Sequence, residues 1–356
     1  MSVFIIAEAG VNHNGDLGLA MKLVDAAAEA GVDAIKFQTF TAETLAIADA
    51  PKADYQLRTT DPAQSQMDML KKLELPKDWH DDLKRHAQGL GLHFMSTAFD
   101  PDSLDFLIRD VGIDRVKIPS GELTNGQLLL AAAQSGLPVI LSTGMGTLKE
   151  VEQALGVLAF GYLGKDAPGT QAFEHAFAST EGQQALRKSV TLLHCTTDYP
   201  APFEDIDLKA MDTLADAFNL RVGLSDHSTG IAVPIAATAR GAMVIEKHFT
   251  TERNLPGPDH QASLEPDELK DMVSSIRAIE AAIGQGLKGP QLSEKNNRII
   301  ARRSLIALRP INAGEIFTEE NLGSRRPGGG ISPMRYWDVI GTLATKSLRS
   351  GEKVEQ

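Results

Sequence analysis

Eight short apolar runs, most of them separated by helical patterns, recur from the N-terminus to Ile245. They are Val3–Ala7, Ala34–Phe37, His93–Ser96, Arg115–Ile118, Val139–Leu141, Val190–His194, Val222–Leu224 and Met243–Ile245. Each is too short for a helix and too continuous for a strand with one wet face. A strand buried on both faces reads this way. After the first run, Ala20, Leu23, Val24 and Ala27 fall on one helical face, and Gly31 stands where a C-terminal cap belongs. After the eighth, Pro266 opens a helix with Asp267 and Glu268 in its first turn. The apolar face of that helix is Leu269, Met272, Val273, Ile276, Ile279 and Ile283. Eight strand–helix units in roughly 280 residues is the size of a (β/α)8, or TIM, barrel. A doubly wound open sheet is the alternative, but such sheets rarely take eight evenly spaced parallel strands.

Three stretches break the rhythm. Residues 39–80 make a long connection, polar at first and helical near Met67–Leu73. Residues 160–189 make another, rich in Gly, Ala and Gln. Residues 284–303 lose the barrel pattern and carry Gly, Pro and basic residues, as linkers do. Residues 304–356 form a small module with Gly-Glu and Pro-Gly-Gly-Gly turns and short β-like runs such as Ser304–Leu308. Its core is small, so it is expected to lean on another surface for stability.

Composition narrows what such a chain does. Of 356 residues, 42% are hydrophobic and 23% charged, enough apolar mass for a large core. Basic residues number 35 and acidic ones 47, a net charge of −12. That balance argues against a nucleic-acid or anionic-membrane partner. The single cysteine, Cys195, can form no internal disulfide, and a reducing, cytoplasmic setting is expected. The start MSVFIIAEAG lacks a basic n-region, and its apolar stretch is too short for a signal peptide. No run approaches the ~18 apolar residues that span a bilayer.

In a (β/α)8 barrel the C-terminal ends of the strands carry the chemistry, and here those ends are polar. Glu8 and Asn12-His13-Asn14-Gly15 follow the first run, Lys36 and Gln38 the second, and Ser96-Thr97 the third. Lys117 and Ser120-Gly121-Glu122 mark the fourth, Ser142-Thr143-Gly144 the fifth, and His194 to Tyr199 the sixth. Ser225-Asp226-His227 and Glu246-Lys247-His248 mark the last two. Lys36 and Lys117, with the hydroxyls of Thr97, Ser120, Ser142 and Ser225, would make a donor-rich pocket suited to a phosphate or carboxylate. The plainer reading pairs each lysine with a neighbouring acid. His227 and His248 end adjacent strands, so their imidazoles can meet over the mouth. With water and an oxygen ligand, two such histidines suit Mn²⁺, Fe²⁺ or Zn²⁺, although a lone strand-end histidine is more often structural. Glu8 and Glu122 can act as general acid or base or grip a hydroxylated substrate; either can instead salt-bridge to a lysine. His13, His194 and His260 are expected only to shape loops or touch substrate. Cys195 is expected to pack in the core of the sixth strand, with nothing around it that marks an activated nucleophile.

The series AEAGVNHNG, AIKFQTF, STAFD, KIPSGEL, LSTGM, LLHCTTDYP, GLSDHSTG, IEKHFT and GPDHQASLEPDEL resembles the sialic acid synthase family. Those enzymes condense phosphoenolpyruvate with an N-acyl amino sugar. INAGEIFTEENL and RRPGGGISP resemble that family's C-terminal antifreeze-like (SAF, β-clip) domain. The resemblance runs in order over nearly the whole chain. It implies a catalytic TIM barrel over residues 1–283, a linker over 284–303 and a SAF domain over 304–356. It also implies that phosphoenolpyruvate is held by Lys36, Thr97, Lys117, Ser120, Ser142 and Ser225. The sugar would meet Glu8, Gln38, Tyr199, Asp259 and Arg326. A divalent metal, manganese first with magnesium or cobalt as options, would sit on His227 and His248. Arg326 would act in the partner's site of a domain-exchanged homodimer. There are departures: the family's STPFD stands here as Ser96-Thr97-Ala98-Phe99-Asp100, and the 160–189 connection is longer than is usual.

APKADYQ and KKLEL are more similar to the N-acetylneuraminate synthases than to the pseudaminate branch. The reaction implied is condensation of phosphoenolpyruvate with N-acetylmannosamine and water to N-acetylneuraminate and phosphate. The alternative is a legionaminic acid synthase acting on a 2,4-diacetamido-2,4,6-trideoxy-mannose, which these motifs do not separate. Two readings of other kinds compete. One is a different barrel enzyme, such as a 3-deoxy-heptulosonate-type synthase or a Schiff-base aldolase, the latter needing Lys36 or Lys117 neutral. The other is a non-catalytic sugar- or ice-binding protein, which would have lost some of these histidines, lysines or carboxylates; none is lost.

Overall fold

The computed structural model describes residues 2–53, 56–57, 60–61 and 63–355. Asp54 and Tyr55, within APKADYQ, lie outside the described residues. The chain divides into two compact units, Met1–Gly284 and Gln285–Gln356.

In the first unit, eight strands close into a barrel in sequence order: β1 (Phe4–Gly10), β2 (Ala34–Thr39), β3 (His93–Ala98), β4 (Val116–Ile118), β5 (Val139–Ser142), β6 (Val190–Cys195), β7 (Arg221–Asp226) and β8 (Val244–His248). All pairings, including β8 with β1, are parallel. This is the TIM barrel, closed rather than open. Seven of the eight strands run further than their apolar stretches do, and only β4 ends with its stretch, at Ile118. β1 continues through Glu8, β2 through Gln38 to Thr39, and β8 through Glu246 to His248.

The reason lies in the two-residue period of a strand, which turns every second side chain into the barrel. Ile6, Ala34, Met95, Ile140, Leu193 and Val244 form a buried cluster of their own inside it. Two residues further along the same strands stand Glu8, Lys36, Thr97, Ser142, Cys195 and Glu246. An apolar floor thus lies beneath a polar layer. The opposite parity, with Ile5, Ile35, Phe37, Leu141, Leu192 and Ile245, packs outward in the main core against the helices.

The same parity separates the two charged triplets. In Ser225-Asp226-His227 and Glu246-Lys247-His248 the middle residues face outward. Lys247 Nζ lies 2.6 Å from Asp226 Oδ2, with both side chains buried. The lysine also donates to the Ser228 carbonyl, and Ser228 Oγ donates to Asp226 at 3.0 Å.

Helix ends follow the sequence signals. Asp16 caps the helix Leu17–Ala30 by accepting from Leu19 N, and Gly31 closes it at φ 79. Glu265 and Glu268 form a capping box around Pro266 at the start of Pro266–Ile283. That helix buries Leu269, Met272, Val273 and Ile276, but Ile283, expected on the same face, is 54% exposed at its last turn. The 39–80 connection supplies the helix Gln66–Leu73, whose Met69, Leu70 and Leu73 pack with Val11 and Phe40. The 160–189 connection forms helices Thr170–Ala178 and Thr180–Ser189, and Phe173 meets Phe160 edge-on with ring centroids 5.1 Å apart.

In the second unit, β9 (Ser304–Ala307) pairs antiparallel with β10 (Leu322–Arg325). Leu305, Ile311, Phe317, Leu322 and Leu348 form its small core. The stretch read as a linker contains structure: the helix Lys295–Ala301 lies in this unit, and its Ile299 carbonyl accepts from Gly328 N at 2.7 Å.

Removing one partner of a buried ion pair strands the other charge and typically costs about 3–5 kcal/mol. Lys247→Met is therefore expected to lower the unfolding free energy by about that amount, measured by urea denaturation. A loss below about 1 kcal/mol would show that Asp226 is adequately solvated by Ser228 alone.

Candidate active site

The register of the barrel sets the polar layer in a ring. Glu8 pairs with Lys36 on one side and with His248 on the other. Thr97 pairs with Lys117, Cys195 with Ser225, and Ser225 with Glu246. These residues line a cavity of about 370 Å³ at the C-terminal mouth.

Lys36 Nζ lies 2.6 Å from Glu8 Oε2 and 3.6 Å from Glu246 Oε2, and donates to Thr97 Oγ1 at 3.0 Å. Lys117 Nζ is held more loosely, 3.4 Å from both Glu246 Oε1 and the Ile118 carbonyl. Ser225 Oγ donates to Glu246 Oε1 at 2.9 Å. Burial opposes ionisation of Glu246, but Lys117 and Lys36 outweigh it and bring its carboxyl down to about 2. Glu8 moves the other way. Burial raises its carboxyl above the usual range, with Glu246 adding to the rise and Lys36 opposing it. Burial is outweighed at Lys36, which Glu246 and Glu8 hold charged. At Lys117 burial lowers the ammonium below the usual lysine range against the pull of Glu246, so an anion beside Lys117 would favour its charged form. Ser142 Oγ, buried with no hydrogen-bond partner, faces the same space. Such a set receives an anion with several oxygens. Both sequence readings of the lysines therefore hold together: they pair with acids and still form a pocket.

Ser120 lines the cavity and accepts from Gly144 N at 3.0 Å. A Cβ at Gly144 would meet Thr197 Oγ1 at 2.4 Å and Ser120 Oγ at 2.7 Å, so the residue must be glycine for the loops to approach. Gln38 Nε2 donates to Glu8 Oε1 at 3.3 Å. Tyr199 stacks over His227 with ring centroids 4.0 Å apart. Asp259, buried, lies 3.8 Å from His248 Nδ1, and burial raises its carboxyl to about 6.

His227 and His248 do meet, with ring centroids 5.4 Å apart. His227 Nδ1 donates to the Thr196 carbonyl at 2.7 Å, which leaves its Nε2 lone pair free. His248 Nδ1 is buried without a hydrogen-bond partner, and burial, His227 and Lys36 keep the ring neutral. Burial opposes a charge on His227, but Cys195 and the Thr196 carbonyl outweigh it and raise the ring, so of the two only His248 is held neutral. On the cavity-side nitrogens a proton on His227 would give way to a divalent ion. Among the described residues no group of three His, Cys, Asp or Glu is arranged to hold one, so water or substrate oxygens would complete the coordination.

Two residues stand elsewhere than expected. Glu122 does not line the cavity. After Pro119 the chain enters a 3-10 turn, Ser120–Glu122, and the Glu122 carboxylate accepts from Asn125 Nδ2 at 2.7 Å. Asn125 in turn caps the next helix. Cys195 is buried as expected but faces the cavity rather than the outer core, its Sγ 3.7 Å from His227 Nδ1. His13, His194 and His260 are absent from the cavity wall. Arg326 lies in the second unit and is exposed. Glu246 and Thr197 line the site without having been singled out from sequence. The parity signal was available for Glu246, two residues before His248 on one strand.

The remaining wall mixes apolar residues with Gln56 and Gln66. Phe40, Leu45, Met69, Leu70, Leu73 and Phe99 line the side of the cavity opposite in character to the lysines.

Comparison with known proteins places this geometry. Residues 23–288 match the NeuB family and residues 302–354 the SAF domain. The chain belongs to the NeuB family, the phosphoenolpyruvate-dependent sialic and other nonulosonic acid synthases. It is 48% identical over 99% of its length to the N,N'-diacetyllegionaminic acid synthase of Campylobacter jejuni, covering 98% of that protein. It is 46% identical over 99% of its length to the enzyme of the same name from Legionella pneumophila, covering 93% of it. The crystal structure of an N-acetylneuraminic acid synthetase from Leptospira borgpetersenii superposes with a TM-score of 0.68 at 36% identity, over 83% of this chain and 90% of that one.

Titrating Mn²⁺ into the NeuB-family chain should show one binding event that weakens at least about tenfold, or 1.4 kcal/mol, in His227→Ala/His248→Ala. Unchanged affinity by calorimetry would mean that the two histidines are structural.

Proposed function

We propose that this chain condenses phosphoenolpyruvate with 2,4-diacetamido-2,4,6-trideoxymannose and water, giving N,N'-diacetyllegionaminic acid and phosphate. The observation that carries this reading is the pair of relatives at 48% and 46% identity, each matched over 99% of the chain and each named for that product. The sequence motifs put N-acetylmannosamine first; the relatives weigh toward the diacetyl sugar. The cavity supports the same choice. A 6-deoxy sugar presents a methyl group, which Phe40, Met69, Leu70 and Phe99 can cover. A C6 hydroxyl covered by those four side chains would lose its partners, at about 1–3 kcal/mol, unless it reached Gln56 or Gln66, which also line the cavity.

Lys36 and Lys117, with Thr97, Ser120, Ser142 and Ser225, hold the phosphate and carboxylate of phosphoenolpyruvate in register, a proximity effect. Gln38, Tyr199 and Asp259 orient the sugar beside it. A divalent ion on His227 and His248, manganese by family resemblance, supplies Lewis-acid polarisation of the sugar's aldehyde when bound. C3 of phosphoenolpyruvate adds to the aldehyde carbon, water adds to C2, and the tetrahedral intermediate expels phosphate by C–O cleavage. Glu8, lifted by burial toward a proton-exchanging range, is the carboxylate placed to take and return the proton of that water. Glu246, held ionised between the lysines, keeps them charged and aligned instead.

Two SAF domains exchanged in a homodimer, with Arg326 serving the barrel of the second copy, belong to the same reading. Arg326 is exposed and free to act as a planar donor.

Phosphate release from phosphoenolpyruvate with Mn²⁺ should depend on sugar. The diacetamido-trideoxy sugar should exceed N-acetylmannosamine in kcat/KM by about tenfold or more, from the unpaired hydroxyl, with product mass confirming the acid. Equal or better turnover of N-acetylmannosamine would restore the N-acetylneuraminate reading. Mixing an Arg326→Ala chain with a Lys117→Met chain should return part of the activity, since one heterodimer site is then intact. No return, with heterodimers shown by native mass spectrometry, would place Arg326 in its own barrel or in neither.

A further inference from the structure

The loop after β8 carries Asp259, and the loop after β1 holds it. Asn14 Nδ2 donates to the Pro256 carbonyl at 2.7 Å, which turns its Oδ1 toward His260 Nε2, 3.2 Å away. That oxygen can only accept, so the imidazole carries its proton on Nε2. Its Nδ1 then accepts from Thr250 Oγ1 at 2.7 Å, a shorter path for the single hydroxyl proton than the Glu252 carbonyl at 3.1 Å. Each bond in the chain Thr250–His260–Asn14–Pro256 therefore has one direction. His260 is fully buried.

A second tie runs beside it. Asn12 Nδ2 donates to the Phe249 carbonyl at 2.9 Å and to Ser263 Oγ at 3.0 Å, and Ser263 Oγ donates to the Asp259 carbonyl at 2.7 Å. Gly257 presses on the junction. A Cβ there would stand 2.8 Å from His260 Cδ2 and 2.9 Å from Asn14 Oδ1, at φ +149. None of Asn12, Asn14 or His260 lines the cavity. Their bonds converge on the backbone either side of Asp259, whose carboxylate stands 3.8 Å from His248.

We propose that Asn14 and His260 are positioning residues that clamp the loop 250–263 across the barrel seam, so that Asp259 is held at the cavity wall beside His248 for the sugar. The proposal rests on the reading of Asp259 as a sugar contact, and its test separates the two. Hydrogen–deuterium exchange of the full chain without substrate reads the clamp alone. Asn14→Ala should speed exchange in residues 250–263 and leave the barrel strands unchanged. Unchanged exchange in that loop overturns the clamp whatever the substrate.

Kinetics with phosphoenolpyruvate, Mn²⁺ and the diacetamido-trideoxy sugar read its purpose. Asn14→Ala should raise the sugar KM about tenfold, equivalent to about 1.4 kcal/mol, with the KM for phosphoenolpyruvate unmoved. His260→Gln, whose amide nitrogen can replace Nε2 as donor to Asn14, should lie nearer the wild type than His260→Leu. Asn14→Gly, which removes the same bonds and suits the φ of 51 at that position, covers the case in which Asn14→Ala does not fold. The effect of Asn14→Ala on sugar KM should vanish in an Asp259→Ala background. If the two effects add, the clamp does not act through Asp259 and the proposal fails. If Asp259→Ala alone leaves the sugar KM at the wild-type value, the reading of Asp259 fails and takes the proposal with it.

Discussion

Lys36 and Lys117 stand inside the barrel, each 3% exposed, with the carboxylate of Glu246 between them at 3.6 and 3.4 Å. Charges so deeply buried are costly unless they are paired and hydrogen-bonded. Much of the surrounding structure meets that requirement. Glu8 pairs with Lys36, Ser225 bonds Glu246, and Thr97 accepts from Lys36. The pairing is incomplete on the cavity side, where Lys117 has only long contacts and Ser142 Oγ has none. In the function proposed here a polyanionic substrate completes it, so the feature that costs stability in the empty barrel is the one that would select the ligand.

The rest of the site is arranged around that ring by closure of the sheet. β8 returns to β1, which brings His248 beside Glu8 and the two ends of a 284-residue unit into one wall. The loops that follow those strands are then close enough to bond each other, as Asn12 and Asn14 do with residues 249–263. The 39–80 connection adds Gln66, Met69, Leu70 and Leu73 of the helix Gln66–Leu73 to the cavity lining. In the function proposed here, the lysine-rich part of the cavity takes the anion and the part lined by Phe40, Met69, Leu70 and Phe99 takes the deoxygenated edge of the sugar.

What could be read from sequence follows the strength of the local signal. The eight strands were visible because buried parallel strands are apolar on both faces. Their final residues were not, since Glu8, Gln38 and Glu246 interrupt the apolar pattern while continuing the ladder. Lys36 and Lys117 stood out as cations in otherwise apolar runs. Glu246 did not, because Glu246-Lys247-His248 is polar throughout, and it is found only by counting two residues back along the strand from an inward-facing His248. Glu122 misled for a related reason: the turn after Pro119 breaks the two-residue period, so counting along the strand no longer gives direction. The helix Lys295–Ala301 lay within a stretch whose composition is that of a linker.

The sequence by itself determined the alternation of strands and helices, the barrel that eight such units close, and the residue types gathered at its mouth. Those depend on hydrophobic periodicity and capping, which act over a few residues and leave their mark locally. Only the tertiary structure decided which carboxylate sits between the lysines, which one turns away, and how His248 comes to share a wall with Glu8 and Asp259. Those outcomes depend on strand register and ring closure. Both are set by contacts between residues as far apart in the chain as Glu8 and His248, where no local pattern records them.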